Sequence, residues 1–232
     1  MINVRKASER GHTHIDWLNS YHSFSFGDYY DQHHMGFRSL RVINDDRVAP
    51  GSGFATHGHR DMEIVTYVLD GALEHRDSLG NGSVIRPGEI QRMSAGTGIQ
   101  HSEYNPSPRD TVHLLQIWLQ PAALGLAPGY EQRAFDRARA AGRFLMLAGP
   151  PGAAASVTIH QDARLLVTSL DARASARFEL AAGRYAWIQI ARGDAVLNGH
   201  VLGEGDGASV SEERELTFEA KSRAEILLFD LA

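Results

Sequence analysis

His57 and His59 are one residue apart in Gly51-Ser-Gly-Phe-Ala-Thr-His57-Gly-His59-Arg-Asp-Met-Glu63. His101 and Glu103 stand in the same relation in Ser94-Ala-Gly96-Thr-Gly98-Ile-Gln-His101-Ser-Glu103-Tyr-Asn105. Side chains alternate along a strand, so each pair faces one side of its strand. On opposed strands the two pairs could supply three imidazole nitrogens and one carboxylate oxygen. That donor set suits one divalent first-row metal and leaves positions for water or substrate. A lone H-x-H is more often a polar strand face. Two such pairs, each beside glycines that let backbones approach closely, rarely coincide by accident. Glu63 shares the parity of His57 and His59, so strand geometry alone does not exclude it as a ligand.

The other histidines read differently. His12 and His14 lie in a polar N-terminal segment, and adjacent His33 and His34 would point apart in extended chain. His75 and His113 fall in candidate strands and read as hydrogen-bonded residues of the barrel. His160 and His200 belong to no H-x-H or H-x-E pair, so the second half is expected to hold no metal. The chain has no cysteine, which excludes disulfides, thiolate metal sites and thiol nucleophiles. Gly80-Asn-Gly82 and Gly203-Glu-Gly205-Asp-Gly207 precede neither a helical pattern nor Lys-Ser/Thr, so phosphate cradling is not expected. No G-x-S-x-G elbow occurs.

The elements that must position these groups are mostly strands. Short apolar or alternating runs, such as Glu63 to Leu69 and Val112 to Leu119, are punctuated by Gly, Pro, Asn and Asp. Asn81-Gly82 and Asn198-Gly199 read as hairpin turns. Tyr130 to Arg143 is rich in helix formers and reads as a helix. Gly149 to Ala155 reads as a loop. The two halves repeat an order: Leu69-Asp-Gly71, hairpin, Pro87-Gly-Glu89, final strand; then Ile190-Ala-Arg-Gly193, hairpin, Gly203-Glu-Gly-Asp206, final strand. The reading is all-β, two related barrel or sandwich units joined through a short helix. The expected domains are 1–135 and 136–232.

At 232 residues the chain is long enough to bury a core without staples. Lys plus Arg is 23 and Asp plus Glu is 28, a formal charge of −5. No basic stripe supports direct nucleic-acid binding. No signal-peptide stretch or membrane-length apolar run occurs, so a cytoplasmic protein with no membrane partner is expected.

Gly51-x5-His57-x-His59-x3-Glu63, followed by Gly71, resembles the first cupin motif, and Gly98-x2-His101-x3-Asn105 the core of the second. The runs HGHRDMEIVTYVLDG and MSAGTGIQHSEYN more specifically resemble the pirin family. Tyr21 to Phe26, Leu40 to Asp46 and Pro128 to Gln132 support this. The resemblance is specific from about Arg5 to Phe135; beyond that it is carried by order and length. Seven residues between Glu63 and Gly71, and Gly96 in place of a proline, depart from the wider cupin pattern and agree with pirins.

The resemblance implies a bicupin, two antiparallel jelly-roll barrels with a metal in the N-terminal one. It implies His57, His59, His101 and Glu103 as ligands, with Glu63 left as a neighbour that orients a ligand. It is closest to bacterial pirins described as quercetin 2,3-dioxygenases. Implied substrates are a flavonol and O2, and Glu103 would also accept the substrate proton. Fe(II) is the expected metal, although Cu, Ni, Mn and Zn accept the same donors. Phe54 and Met35 read first as core residues, with stacking on the substrate rings as the alternative. Eukaryotic pirins are described as iron-dependent co-regulators, so the alternative is a metal- and redox-sensing module that binds a partner protein, with flavonol turnover as a promiscuous activity. A monomer is expected.

Overall fold

Glu63-Ile-Val-Thr-Tyr-Val-Leu-Asp70 is β-branched and aromatic almost throughout, and it forms a strand buried at every position but the last. Ile99-Gln-His-Ser-Glu-Tyr104 instead alternates, with Ile99, His101 and Glu103 buried and Gln100 and Tyr104 exposed. These two patterns recur along the whole chain. The computed structural model describes residues 1–232. Its first strands are β1 (Ile2–Arg5), β2 (Gly11–Ile15), β3 (Leu18–His22), β4 (Leu40–Val48), β5 (Gly53–His59), β6 (Glu63–Asp70), β7 (Leu73–Asp77), β8 (Gly82–Ile85), β9 (Glu89–Ser94), β10 (Ile99–Tyr104), β11 (Val112–Leu119) and β12 (Gly129–Ala134). There follow β13 (Leu145–Gly149), β14 (Val157–Thr158), β15 (Ala163–Leu170), β16 (Ser175–Glu179), β17 (Tyr185–Arg192), β18 (Ala195–Leu197), β19 (His200–Leu202), β20 (Gly207–Val210), β21 (Glu215–Ala220) and β22 (Ala224–Leu231).

Two units result, one of residues 11–135 and 156–161, the other of residues 1–10, 136–155 and 162–232. The first unit pairs a large sheet, β12-β9-β6-β11-β4-β3-β2, with a small one, β5-β10-β7-β8. Leu18, Val48, Val68, Leu73, Ile85, Val112 and Leu114 pack between them. In the second unit β20-β17-β22-β15 repeats the order β9-β6-β11-β4, and β16-β21-β18-β19 repeats β5-β10-β7-β8. Each of the eight strands β4 to β11 thus has a counterpart eleven strands later, as the repeated turn punctuation predicts. The fold is a bicupin. The interior of the second barrel is filled by apolar side chains such as Leu180, Ile188, Leu216, Phe218 and Leu228.

Two segments depart from a simple split after residue 135. β1 pairs with the edge of β20, Ile2 opposite Val210 and Arg5 opposite Gly207, so the N-terminus belongs to the second unit. Lys6 Nζ and the Ala7 amide both bind the Asp206 carboxylate there, at 2.8 and 2.7 Å. Residues 156–161 belong to the first unit: Arg92 Nε donates to the Thr158 carbonyl and the Thr158 amide to Glu131 Oε2.

The expected helix over Tyr130 to Arg143 is absent. Gly129–Ala134 is an edge strand laid along β9, Tyr130 opposite Met93 and Gln132 opposite Gln91. Only one 3-10 turn, Arg137–Ala140, remains, capped by the Asp136 side chain. A short isolated helix has little stability of its own, and the open edge of β9 offers a full ladder of hydrogen bonds instead. No helix is long and apolar enough to cross a membrane.

Candidate metal centre

The small sheet of the first unit brings the chemistry together. β10 lies between β5 and β7. Across one side His101 faces His57, and Ile99 faces His59. Across the other His101 faces Asp77, and Glu103 faces His75. The β5–β10 register shifts between His101 and Glu103, which places Phe54 opposite Glu103. This bulge adds a residue to β5 and re-aims its histidines. Gly53 permits it, since a Cβ there would collide with the Glu103 carbonyl and the Tyr104 backbone.

His57, His59 and His101 present donor atoms that all lie within 4.8 Å of one another. The Nε2 atoms of His57 and His101 are 3.1 Å apart. Burial, reinforced by the neighbouring His57, pushes His101 down to about 2 and His59 down to about 4. Both rings are therefore neutral at pH 7 and offer lone pairs. Three imidazoles packed this closely, two of them neutral, with the Glu103 carboxylate beside His101, fit a divalent cation.

Glu103 is buried on the same face of β10 as His101. Gln116 Nε2 donates to both of its carboxylate oxygens, at 3.0 and 2.8 Å, while Gln116 Oε1 accepts from Thr66. Burial pushes the Glu103 carboxyl up, against the opposing pull of Gln116. The nearest grouping that includes Glu103 is with His75 and His101, rather than with all three histidines.

Glu63 points elsewhere. Its carboxylate accepts from Ser94 Oγ at 2.9 Å and lies 3.3 Å from His160 Nδ1. It therefore anchors the 156–161 segment and touches no histidine of the cluster. His160 falls within the first unit by the same contact.

A cavity of about 550 Å3 opens beside the histidines, with His57, His59 and Glu103 in its wall. Trp17, Phe26, Phe54 and Trp118 form its flat apolar sides. Trp118 meets His59 edge-on, ring centroids 4.9 Å apart. Ser20, Asn44, Asp46 and Gln116 add polar groups to the lining. Burial pushes the Asp46 carboxyl up to about 7, and its Oδ1 has no hydrogen-bond partner. Met35 is not in this wall; it lines a neighbouring groove with Tyr29 and Tyr30.

His75, Asp77, Asp46 and Gln116 were not distinguished by the motifs. His75-Arg-Asp77 has the same period-two spacing as the other pairs, and that signal was available.

Two related barrels, with imidazoles clustered on the small sheet of the first, define a bicupin carrying one candidate metal centre. The pirin family profile matches residues 3–119, and that of the quercetinase C-terminal cupin domain matches residues 146–231. The chain is 48% identical over 231 residues to quercetin 2,3-dioxygenase of Escherichia coli strain K12, covering 100% of this chain and 99% of that one. It is 40% identical over 233 residues to a pirin-like protein of Caulobacter vibrioides, covering 100% of each. The crystal structure of the bacterial pirin YhhW from Escherichia coli in complex with nickel(II) superposes with a TM-score of 0.94, at 46% identity, covering 100% of this chain and 99% of that one. This chain belongs to the pirin family.

Proposed function

We propose that this protein is a metal-dependent dioxygenase that opens the ring of flavonols such as quercetin with O2. Its ligands are His57, His59, His101 and Glu103, and its metal is Fe(II). One observation carries the reading: three imidazoles converge beside a cavity whose wall includes both aromatic rings and hydrogen-bonding groups. The volume, about 550 Å3, falls within the range of small-molecule sites. A flavonol is flat, apolar across its rings and polar around its rim, which matches the two kinds of wall. The relatives named quercetin 2,3-dioxygenase, in Escherichia coli and elsewhere, support the same substrate class.

A bound metal supplies Lewis acidity toward the oxygens of the substrate and a centre at which O2 can react. The chain supplies the rest. Trp118, Phe26 and Phe54 hold the ring plane. Glu103 takes the proton of the 3-hydroxyl: the O–H bond breaks, the proton passes to a carboxylate oxygen, and the substrate becomes an electron-rich flavonolate. Burial raises the basicity of Glu103, which suits a base. Gln116, bound to both oxygens, holds the carboxylate in place.

The test is anaerobic loading with iron(II), then quercetin absorbance with and without O2. Wild type is expected to consume quercetin only with O2, and His101→Ala to lose metal and turnover together. Glu103→Gln is expected to bind metal with modest loss while turnover per bound metal falls roughly 10²–10⁴-fold, the range for a lost general base. Stoichiometric iron with no oxygen-dependent consumption of quercetin would overturn the activity. Wild-type turnover per metal in Glu103→Gln would remove Glu103 as the base.

A further inference from the structure

We infer that Asp77 and His75 are positioning residues that fix the tautomer of His101 and so aim its Nε2 lone pair into the three-histidine cluster. The inference rests on the reading of His101 as a metal ligand and adds to it the device that makes it one.

The chain of contacts is directional. Asp77 Oδ1 accepts from the amides of Leu79 and Asn81, at 2.9 and 3.0 Å, and from Asn81 Nδ2 at 3.1 Å. Its Oδ2 accepts from Asn81 Nδ2 at 2.9 Å and lies 3.1 Å from His75 Nε2. A carboxylate already accepting from so many donors has no proton to give, so His75 carries its hydrogen on Nε2. Nδ1 of His75 is then bare, and it lies 3.4 Å from Nδ1 of His101. His101 therefore carries its hydrogen on Nδ1, and its Nε2 is bare. The opposite wall gives the same answer. His57 Nδ1 lies 2.8 Å from the Ala55 carbonyl, which can only accept, so the neutral form of His57 carries its hydrogen there and leaves Nε2 bare. Two lone pairs thus face each other across 3.1 Å, an arrangement that a shared cation relieves.

The Asp77 and His75 side chains are wholly buried. Tyr130 stacks on the His75 ring with centroids 4.8 Å apart, so the relay is held from the side too. The assignment also settles what the second histidine–carboxylate group is. His75, His101 and Glu103 lie within metal-binding reach of one another, but the His101 nitrogen facing that group carries a hydrogen. Within that group His75 is a hydrogen-bonded support of His101 and not a ligand of a second metal. Outer partners of this kind typically change metal affinity about 10–100-fold when removed.

Asp77→Asn makes a sharp test. The two backbone amides at Oδ1 force the new amide nitrogen toward His75. His75 must then accept on Nε2 and carry its hydrogen on Nδ1, which places the His101 hydrogen on Nε2, inside the cluster. Nickel(II) affinity, measured by chelator competition with folding checked by circular dichroism, is expected to fall about 10–100-fold. In a His75→Phe background, where the relay is cut, the same substitution is expected to cost nothing further. Additive losses in the two backgrounds would mark a merely structural role and overturn the proposal, as would wild-type affinity in Asp77→Asn. Proton–nitrogen correlation NMR of the metal-free wild type reads the tautomer directly and needs no variant; a hydrogen on His101 Nε2 would overturn the proposal. Wild type that fails to bind nickel would count against the metal-centre reading, while the NMR result would still decide the relay.

Discussion

Asp46 shows how a single residue can carry a cost that the motifs do not reveal. It sits in the wall of the cavity, buried, with one oxygen unpartnered. Loss of solvent is the main reason its carboxyl is pushed up to about 7, and the charges of Asp45 and Glu103 add to the effect. In the unfolded chain an Asp titrates near 3.9. Between about pH 4 and pH 7 the folded state therefore binds more protons than the unfolded state, and this group's contribution to stability declines as pH rises through that window. Asn has the same shape and no charge to bury. In metal-free protein, Asp46→Asn is expected to match wild type near pH 4 and to exceed it at pH 8 by on the order of a few kcal/mol. Thermal melts of both proteins across this range check it; an offset independent of pH would show that burial does not set this carboxyl.

At the scale of elements, the β5–β10 bulge decides whether the centre exists. It brings His57 opposite His101, and it depends on the absence of a side chain at position 53. The atoms a Cβ would meet there are backbone atoms of β10, which cannot swing aside as a flexible side chain could. Overpacking of this kind costs about 1–3 kcal/mol, or roughly 2–12 °C in Tm for a chain of this size. Gly53→Val is expected to show that loss together with a weaker nickel affinity, because the displaced strand carries two of the three histidines. Unchanged affinity at reduced Tm would mean that the bulge serves the fold and not the site. The edge strand β12 has a comparable dual place, since Tyr130 pairs along β9 and also stacks on His75.

For the whole molecule, the same strand order is used twice with different contents. The first barrel opens a cavity between its sheets, while apolar side chains fill the second. The second also takes an edge strand from the far end of the chain: β1 covers β20, and Ile2 and Val4 pack on its core. Removing residues 1–5 would leave the β20 edge uncovered and take away that apolar contact. Such a truncation is expected to lower the thermal stability of the second unit while leaving nickel affinity within a few-fold of wild type. Differential scanning calorimetry beside the chelator competition reads both effects. A large loss of affinity would show that the centre depends on the N-terminal strand.

The sequence by itself determined which side chains share a face, because strand alternation is local. The H-x-H and H-x-E pairs, the hairpin turns and the repeated punctuation of the halves were all legible in this way. The pirin resemblance was legible for the same reason, since it rests on short contiguous runs. Only the tertiary structure decided what lies across the sheet, because register is a long-range choice. Parity allowed Glu63 and Glu103 alike, and pairing sent Glu63 to His160 and Glu103 to a place beside His101. Residues 130–134 have helix-forming composition, yet an unpaired edge of β9 made them a strand. His75-Arg-Asp77 carried the right spacing all along. Its meaning depends on Asp77 facing His101 across the sheet and on His75 reaching His101 Nδ1, the nitrogen turned away from His57, and neither contact is written in the order of residues.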